Sequence, residues 1–61
     1  MDIFAAAMLG EAEIVRAMLA ARPELHDARG PHRIPLIKHA EAGGDDARGV
    51  LELLQRETAP V

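Results

Sequence analysis

The feature that most constrains the fold is a short segment that occurs twice in the chain, 33 residues apart. Residues 34–44 read Ile-Pro-Leu-Ile-Lys-His-Ala-Glu-Ala-Gly-Gly, and residues 3–10 read Ile-Phe-Ala-Ala-Ala-Met-Leu-Gly. At this offset Gly10 aligns with Gly43, and the apolar residues Ile3, Phe4 and Ala7 align with Leu36, Ile37 and Ala40. A period of this length with helix–turn–helix content is typical of stacked structural repeats. We therefore expect two related helical units.

The composition favours helices within one small domain. The chain has 61 residues and is 49% apolar, much of it alanine, with Phe4 as its only aromatic residue. An aliphatic core with one ring suits closely packed helices, whereas a β-sandwich uses β-branched and aromatic strands. A chain of this size buries only about 60% of the surface that its unfolded form exposes. There is no cysteine, so no disulfide bond stabilises the fold.

The spacing of apolar residues predicts four helices. They are expected to span residues 3–9, 11 or 12 to 21, 34–42 and 46–56. Asp2 is expected to cap the first helix by accepting hydrogen bonds from its free N–H groups, and Gly10 is expected to end it. Asp45 or Asp46 is expected to cap the fourth helix, in which Gly49 costs about 1 kcal/mol relative to alanine.

The third predicted helix follows a loop. Pro35 lies in its first turn, where the missing N–H has no intrahelical partner in any case. The inward stripe is predicted to consist of Leu36, Ile37 and Ala40, with Lys38, His39 and Glu41 outside it. Residues 24–33 contain the turn signal Gly30-Pro31. We expect them to form an extended loop or β-turn finger without a stable sheet.

Charge and targeting signals exclude several functional classes. The net charge is −3, and residues 1–21, 22–39 and 40–61 carry −2, +2 and −3 respectively. An acidic chain with one aromatic residue and no long basic run is a poor nucleic-acid binder. The N-terminus lacks the basic region of a signal peptide, and no apolar run reaches the ~20 residues of a membrane span. We expect a cytoplasmic protein that binds neither nucleic acid nor membrane.

The motif letters resemble the ankyrin repeat. Residues 35–36, Pro-Leu, match the pair that opens the first helix of that repeat, and Ala40 matches its buried alanine. Gly10 and Gly43 match the glycine between its two helices. Residues 13–15, Glu-Ile-Val, match the start of its second helix. The resemblance implies an all-α fold in which two stacked antiparallel helix pairs are joined by an extended β-turn finger.

The same resemblance implies how the chain is divided. Residues 1–61 would form a single module, with repeat 1 at about 2–29 lacking its β-turn, repeat 2 at about 30–56, and a frayed tail at 57–61. His32 stands where the family has its finger glycine. The turn after Gly43 is longer than the turn after Gly10 by about two or three residues.

Another departure concerns the contact between repeats. Ile34 and Ile37 stand where the family has the threonine and histidine whose hydrogen bond joins neighbouring repeats. Apolar side chains therefore replace a polar contact. One functional hypothesis follows, in which the chain is a self-assembling structural homo-oligomer that pairs through a flank formed by Ile34, Ile37 and Leu53.

The leading functional hypothesis is a protein–protein interaction module. Ankyrin proteins bind partners through the finger and the exposed face of the first helix of each repeat. Carried over by register, the partner-binding residues are Met8, Leu9, Arg29, Arg33, Glu41 and Ala42. The arginines favour an acidic protein partner, because a planar guanidinium makes bidentate contacts with carboxylates. The alternatives are that the arginines are only solvated and that Met8 and Leu9 complete the core.

No residue pattern predicts catalysis, a cofactor or a resident metal. His26, His32 and His39 are six and seven residues apart, unlike the closely spaced ligands of zinc sites. Structural roles are expected instead, and the ankyrin register implies that His26 closes the finger by bonding to the backbone. Nucleophile, metalloprotease and phosphate-loop motifs are absent. We predict a non-enzymatic protein, with a metal-dependent or catalytic accessory role for the three histidines as a third hypothesis.

Overall fold

The computed structural model describes the backbone of residues 1–58 and the side chains of residues 1–56. Within residues 1–58 there are four α-helices and no strand, which confirms the all-α prediction. The helices are α1 (Ile3–Met8), α2 (Ala12–Ala21), α3 (Leu36–Ala42) and α4 (Arg48–Thr58), and three 3₁₀ segments span Pro23–Asp27, Pro31–Arg33 and Gly44–Ala47. The first two residues of the predicted tail, 57 and 58, form the end of α4, and its other residues, 59–61, lie outside the described residues.

The first helix begins and ends as its sequence predicts. The Asp2 carboxylate oxygen Oδ1 accepts a hydrogen bond of 2.8 Å from the backbone N–H of Ala5. This satisfies one of the N–H groups that have no partner inside the helix. Gly10 follows the helix with a φ of +80°, a conformation that glycine adopts at little cost.

The third helix begins two residues later than predicted. Pro35 precedes the helix in an extended conformation, with φ −62° and ψ 154°, and forms an isolated antiparallel bridge with Arg29. The N–H of Leu36 donates to the carbonyl of Ala28 at 3.3 Å. The backbone on both sides of Pro35 is therefore engaged by the preceding loop, and helical geometry starts only at Leu36.

The fourth helix also begins later, because a 3₁₀ segment takes up the residues after Gly43. Asp45 and Asp46, either of which was expected to cap α4, both lie inside this 3₁₀ segment. Oδ1 of Asp45 accepts a hydrogen bond of 3.1 Å from Nη2 of Arg48, which is a side-chain contact and not a cap on a backbone N–H. Gly49 lies inside the first turn of α4 and is exposed.

The loop between the two helix pairs is more structured than predicted. Residues Pro23–Asp27 form a 3₁₀ segment, where an extended conformation was expected. Beyond it the chain turns back on itself, with the N–H of Gly30 donating to the Ile34 carbonyl at 2.9 Å. His32 and Arg33 at the tip have φ values of 58° and 62°. The left-handed conformation is unfavourable for residues that carry a Cβ.

The core lies where all four helices meet. Helix α1 packs against α2 and α3, and α4 packs against α3 and α2. The buried apolar residues are Ile3, Ala6, Ala7, Val15, Leu36, Ala40, Ala47, Val50, Leu53 and Leu54. His39, predicted outside the stripe of α3, is buried with them at 8% exposure. The prediction is wrong because Leu36, His39 and Ala40 have the i, i+3, i+4 spacing that shares one helix face.

Two equivalent glycines allow the helix pairs to approach each other closely. A Cβ atom added to Gly10 would collide with the carbonyl of Asp46, and one added to Gly43 would collide with the carbonyl of Met8. Each glycine therefore lies against the backbone of the opposite pair. The contact explains why both segments of the internal repeat end in a residue without a side chain.

Candidate interaction surfaces

A shallow groove of about 240 Å³ runs beside the first helix. We call it the α1 groove, and its lining residues are Asp2, Phe4, Ala5, Met8, Pro31 and His39. The groove combines three elements, because α1, the loop tip and α3 each contribute to its wall. Met8 is 42% exposed at this site, although it is a large apolar residue.

An aromatic contact holds the elements of the groove together. The rings of Phe4 and His39 lie 5.0 Å apart between centroids, inclined at 55°. A Cβ atom on Gly30 would approach the Phe4 ring to 2.8 Å, so the loop backbone lies directly against that ring. Phe4 therefore joins α1 to both the loop and α3. Sequence reasoning identified Phe4 as the only aromatic residue but did not predict this position.

His39 carries a buried polar atom without a partner. Its Nε2 atom is inaccessible and makes no hydrogen bond to any described residue. An unsatisfied buried polar atom costs about 1–3 kcal/mol. An apolar side chain at this site would avoid the free-energy cost of the unsatisfied Nε2 atom.

Four of the six predicted partner-binding residues are near the C-terminal ends of α1 and α3. Met8 and Leu9 are 42% and 61% exposed, so they do not complete the core. Glu41 and Ala42 are also exposed. The close approach of Gly43 to the Met8 carbonyl places the ends of the two helices side by side.

The structure separates Arg29 from these four residues, whereas Arg33 lies at the loop tip that borders the α1 groove. Both belong to the loop, and Nη1 of Arg29 donates to the carbonyl oxygen of Arg33 at 2.9 Å. Arg33 lies at the tip, two residues after Pro31 of the α1 groove. Arg29 instead lines a second depression. The predicted surface is therefore divided between two sites.

The second depression, which we call the flank pocket, has a volume of about 310 Å³. It is lined by His26, Asp27, Arg29, Pro35, Ile37 and Leu54. Nε2 of His26 lies 3.2 Å from the Leu54 carbonyl oxygen, and its Nδ1 lies 3.4 Å from Oδ1 of Asp27. His26 thus connects the loop to the backbone of α4. The sequence singled out His26, Arg29 and Ile37 for separate roles, but it did not predict that the three line one pocket.

The predicted oligomer flank is only partly accessible. Ile34 is 38% exposed, and Ile37 is half-buried at the flank pocket. Leu53 is 5% exposed and belongs to the core cluster. It therefore contributes almost no surface to a contact with another molecule, and only the two isoleucines of the predicted flank are available.

Comparisons with known proteins identify no relative of this chain. No family model, no curated protein and no solved structure matches the chain. The ankyrin interpretation stays a prediction that depends on residues and packing.

The ion pairs in the described residues are exposed. They join Glu13 to Arg16, Arg22 to Glu24, Lys38 to Glu41 and Asp45 to Arg48. Such pairs contribute little to stability, about 0–1 kcal/mol each. A backbone hydrogen bond and the Arg22 side chain hold the pKa of the exposed Glu24 below its usual value. Neither Arg29 nor Arg33 is paired with a carboxylate of residues 1–56.

The histidines occupy three different sites. His26 lies at the flank pocket, His32 at the loop tip and His39 in the wall of the α1 groove. Among the described side chains, no group of three histidine, cysteine or acidic residues is placed to hold a metal ion. No helix within the described residues combines the length and the apolar character that crossing a membrane requires.

Proposed function

We propose that this chain is a non-enzymatic, cytoplasmic, ankyrin-type module that binds a protein partner at the α1 groove. The observation that carries the proposal is the exposure of Met8 beside a groove built from two helices and the loop tip. Solvent-exposed apolar side chains that line a groove are characteristic of binding sites. Methionine is favoured at such sites because its flexible thioether adapts to different partners.

Three structural features support the ankyrin-type interpretation. Gly10 and Gly43 make equivalent contacts with the opposite helix pair. His32 has a positive φ at the position where the family has its finger glycine. His26 contacts a backbone carbonyl oxygen, as the family register implies, although that carbonyl belongs to Leu54 of α4 and not to the finger. Each feature concerns a residue that the resemblance had already singled out.

The groove suggests the chemistry of the partner. An apolar side chain would enter between Phe4 and Met8, where it displaces water from apolar surface. Arg33, which has no carboxylate partner in residues 1–56, would attract an acidic residue nearby. Asp2 also lines the groove and would repel a carboxylate at its own position. We expect the partner to present an apolar anchor with its acidic residue on the loop side.

A displayed library of random peptides tests this proposal even though the natural partner is unidentified. Peptides selected on the wild-type chain should share an aliphatic or aromatic anchor and carboxylates. Met8→Glu should abolish their binding, and Arg33→Glu should weaken it about tenfold, with affinity falling as salt is raised. Thermal melts would show that both variants remain folded.

Two exposed positions on α2 provide matched controls. Ala20→Glu introduces a carboxylate on an exposed apolar position, as Met8→Glu does, and Arg16→Glu reverses an exposed arginine, as Arg33→Glu does. Both controls should bind the selected peptides like the wild type. The proposal fails if no peptide is enriched, or if the enriched peptides bind the Met8 and Arg33 variants as tightly as the controls.

A further inference from the structure

Helices α2 and α4 are equivalent in the internal repeat but differ in burial. When Ile14 is aligned with Val50, three residues of α4 become the sequence equivalents of three residues of α2: Val50 of Ile14, Leu53 of Ala17, and Leu54 of Met18. The α4 residues are 0%, 5% and 1% exposed. Ile14 is 38% exposed, Ala17 is exposed and Met18 is half-buried. The face that α4 buries is uncovered in α2.

On the other side of each helix pair the difference is reversed, because there the residues of the first pair are more buried than their equivalents in the second pair. Val15 of α2 is fully buried, whereas its equivalent Leu51 in α4 is half-buried. Phe4 of α1 is covered by the loop and by His39, whereas its equivalent Ile37 lines the open flank pocket. The side of α1 and α2 that contacts the second helix pair is therefore uncovered in α3 and α4.

Within the chain, the first helix pair packs one side against the second pair. The uncovered face of α2 corresponds to the face that the second pair uses in this contact, and the uncovered side of α3 and α4 corresponds to the side that the first pair uses. We infer that a second copy of the chain docks its α2 face, centred on Ile14, against the flank pocket of the first copy. The geometry is head to tail, because each copy contributes a different face. This interface is separate from the α1 groove and goes beyond the proposed function.

Charged residues lie beside both faces and favour one register. Glu11 precedes Ile14 by three residues on the α2 side. The flank pocket contributes Arg29, which has no carboxylate partner within residues 1–56, and the carboxylate of Asp27. Opposite charges at the rim of an apolar contact fix its register and suppress wrong pairings. A register that places Glu11 near Arg29 and away from Asp27 is therefore favoured.

A head-to-tail contact leaves one face free at each end of the assembly. Such heterologous interfaces form open arrays unless their rotation closes a ring. Interfaces that bury less than roughly 1,200 Å² are typical of weak, transient complexes. Because the units are small, we expect this association to be weak and concentration-dependent.

Sedimentation velocity over a range of concentrations tests the inference. The average mass of the wild-type chain should increase beyond a dimer as concentration rises. Ile14→Glu damages one face and Arg29→Glu damages the other, so each variant alone should remain a monomer. An equimolar mixture of the two should form a dimer of defined mass, because it contains a single intact pair of faces. Both substituted residues are exposed, and Ala17→Glu provides a second variant of the α2 face.

The mixture distinguishes this interface from the alternatives. A wild-type chain that stays monomeric at millimolar concentration would overturn the inference. So would an equimolar mixture that remains monomeric, since a symmetric interface cannot be restored by combining the two variants. Met8→Glu should still associate although it loses peptide binding, and Ile14→Glu should bind peptides although it no longer associates. Failure of the inference is thereby separated from failure of the proposed function.

Discussion

The two helix pairs have related sequences, yet α4, the second helix of the second pair, is far more buried than α2, the second helix of the first pair. In α4 three large apolar residues are buried, whereas Val15 is the only fully buried residue of α2. The difference arises from the neighbours of each helix. The apolar stripe of α2 projects partly beyond the second pair, whereas α4 is enclosed by α2, α3 and the turn before it. Sequence periodicity thus identifies an apolar face, and the order of the units determines whether that face is covered.

The largest expected effect tests this difference at equivalent positions. Leu54→Ala should destabilise the chain by about 2–5 kcal/mol, because it opens a cavity in a closely packed core. Met18→Ala at the equivalent position of α2 should cost only about 1 kcal/mol, since the side chain is already half exposed. Urea denaturation of both variants measures the two values. Equal losses would contradict the proposed difference between the two pairs.

The inter-helix glycines offer the second test. Gly10→Ala should cost about 2–4 kcal/mol, from the collision with the Asp46 backbone and from its positive φ. Gly43→Ala should cost about 1–3 kcal/mol, from the collisions with the Met8 carbonyl and the Ala47 Cβ atom, without the added strain of a positive φ. Gly49→Ala is the matched control, because open space surrounds that position, and it should stabilise α4 by about 1 kcal/mol. Melting temperatures that fall equally for all three would exclude the close contact between units.

A third test concerns His39, whose equivalent in the first pair is Ala6. His39→Leu should raise stability by about 1 kcal/mol, because it removes the unsatisfied Nε2 atom while keeping an apolar volume in the core. Chemical denaturation measures the change, and His39→Ala serves as the comparison in which the volume is lost. A clear loss of stability in His39→Leu would show that the imidazole makes a stabilising contact.

The smallest expected effect lies in the loop between the pairs. His32→Gly should raise stability by about 0.5 kcal/mol, because glycine relieves the left-handed conformation but increases the entropy of the unfolded chain. Ala28→Gly, at a residue in an extended conformation, provides the control and should lower stability. A melting temperature of His32→Gly below that of the wild type would argue against the left-handed tip.

Local signals in the sequence predicted the helices well. Asp2, Gly10 and the apolar spacing of α2 identified element boundaries because capping and glycine chemistry act within a few residues. The starts of α3 and α4 were predicted two residues early, since tertiary contacts of Leu36 and the 3₁₀ segment after Gly43 decide them.

The sites were less predictable, because they depend on which side chains the fold brings together. Exposure of Met8 and Arg33 could be expected from their register, but the position of Arg29 in a separate pocket could not. The burial of His39 could have been predicted from its spacing with Leu36 and Ala40. Its proximity to Phe4, 35 positions away, required the packing of the two pairs.

The central claim is that the first helix pair stacks on the second through Phe4, and NMR tests it most directly. Phe4 is the only Phe, Tyr or Trp residue in the chain, so the resonances of its ring are unambiguous. The structure predicts nuclear Overhauser effects from the Phe4 ring to the Gly30 α-protons and the His39 ring, with the Gly30 α-protons shifted by the ring current. Phe4 ring protons that show effects only to residues of α1 and α2 would contradict the stacking.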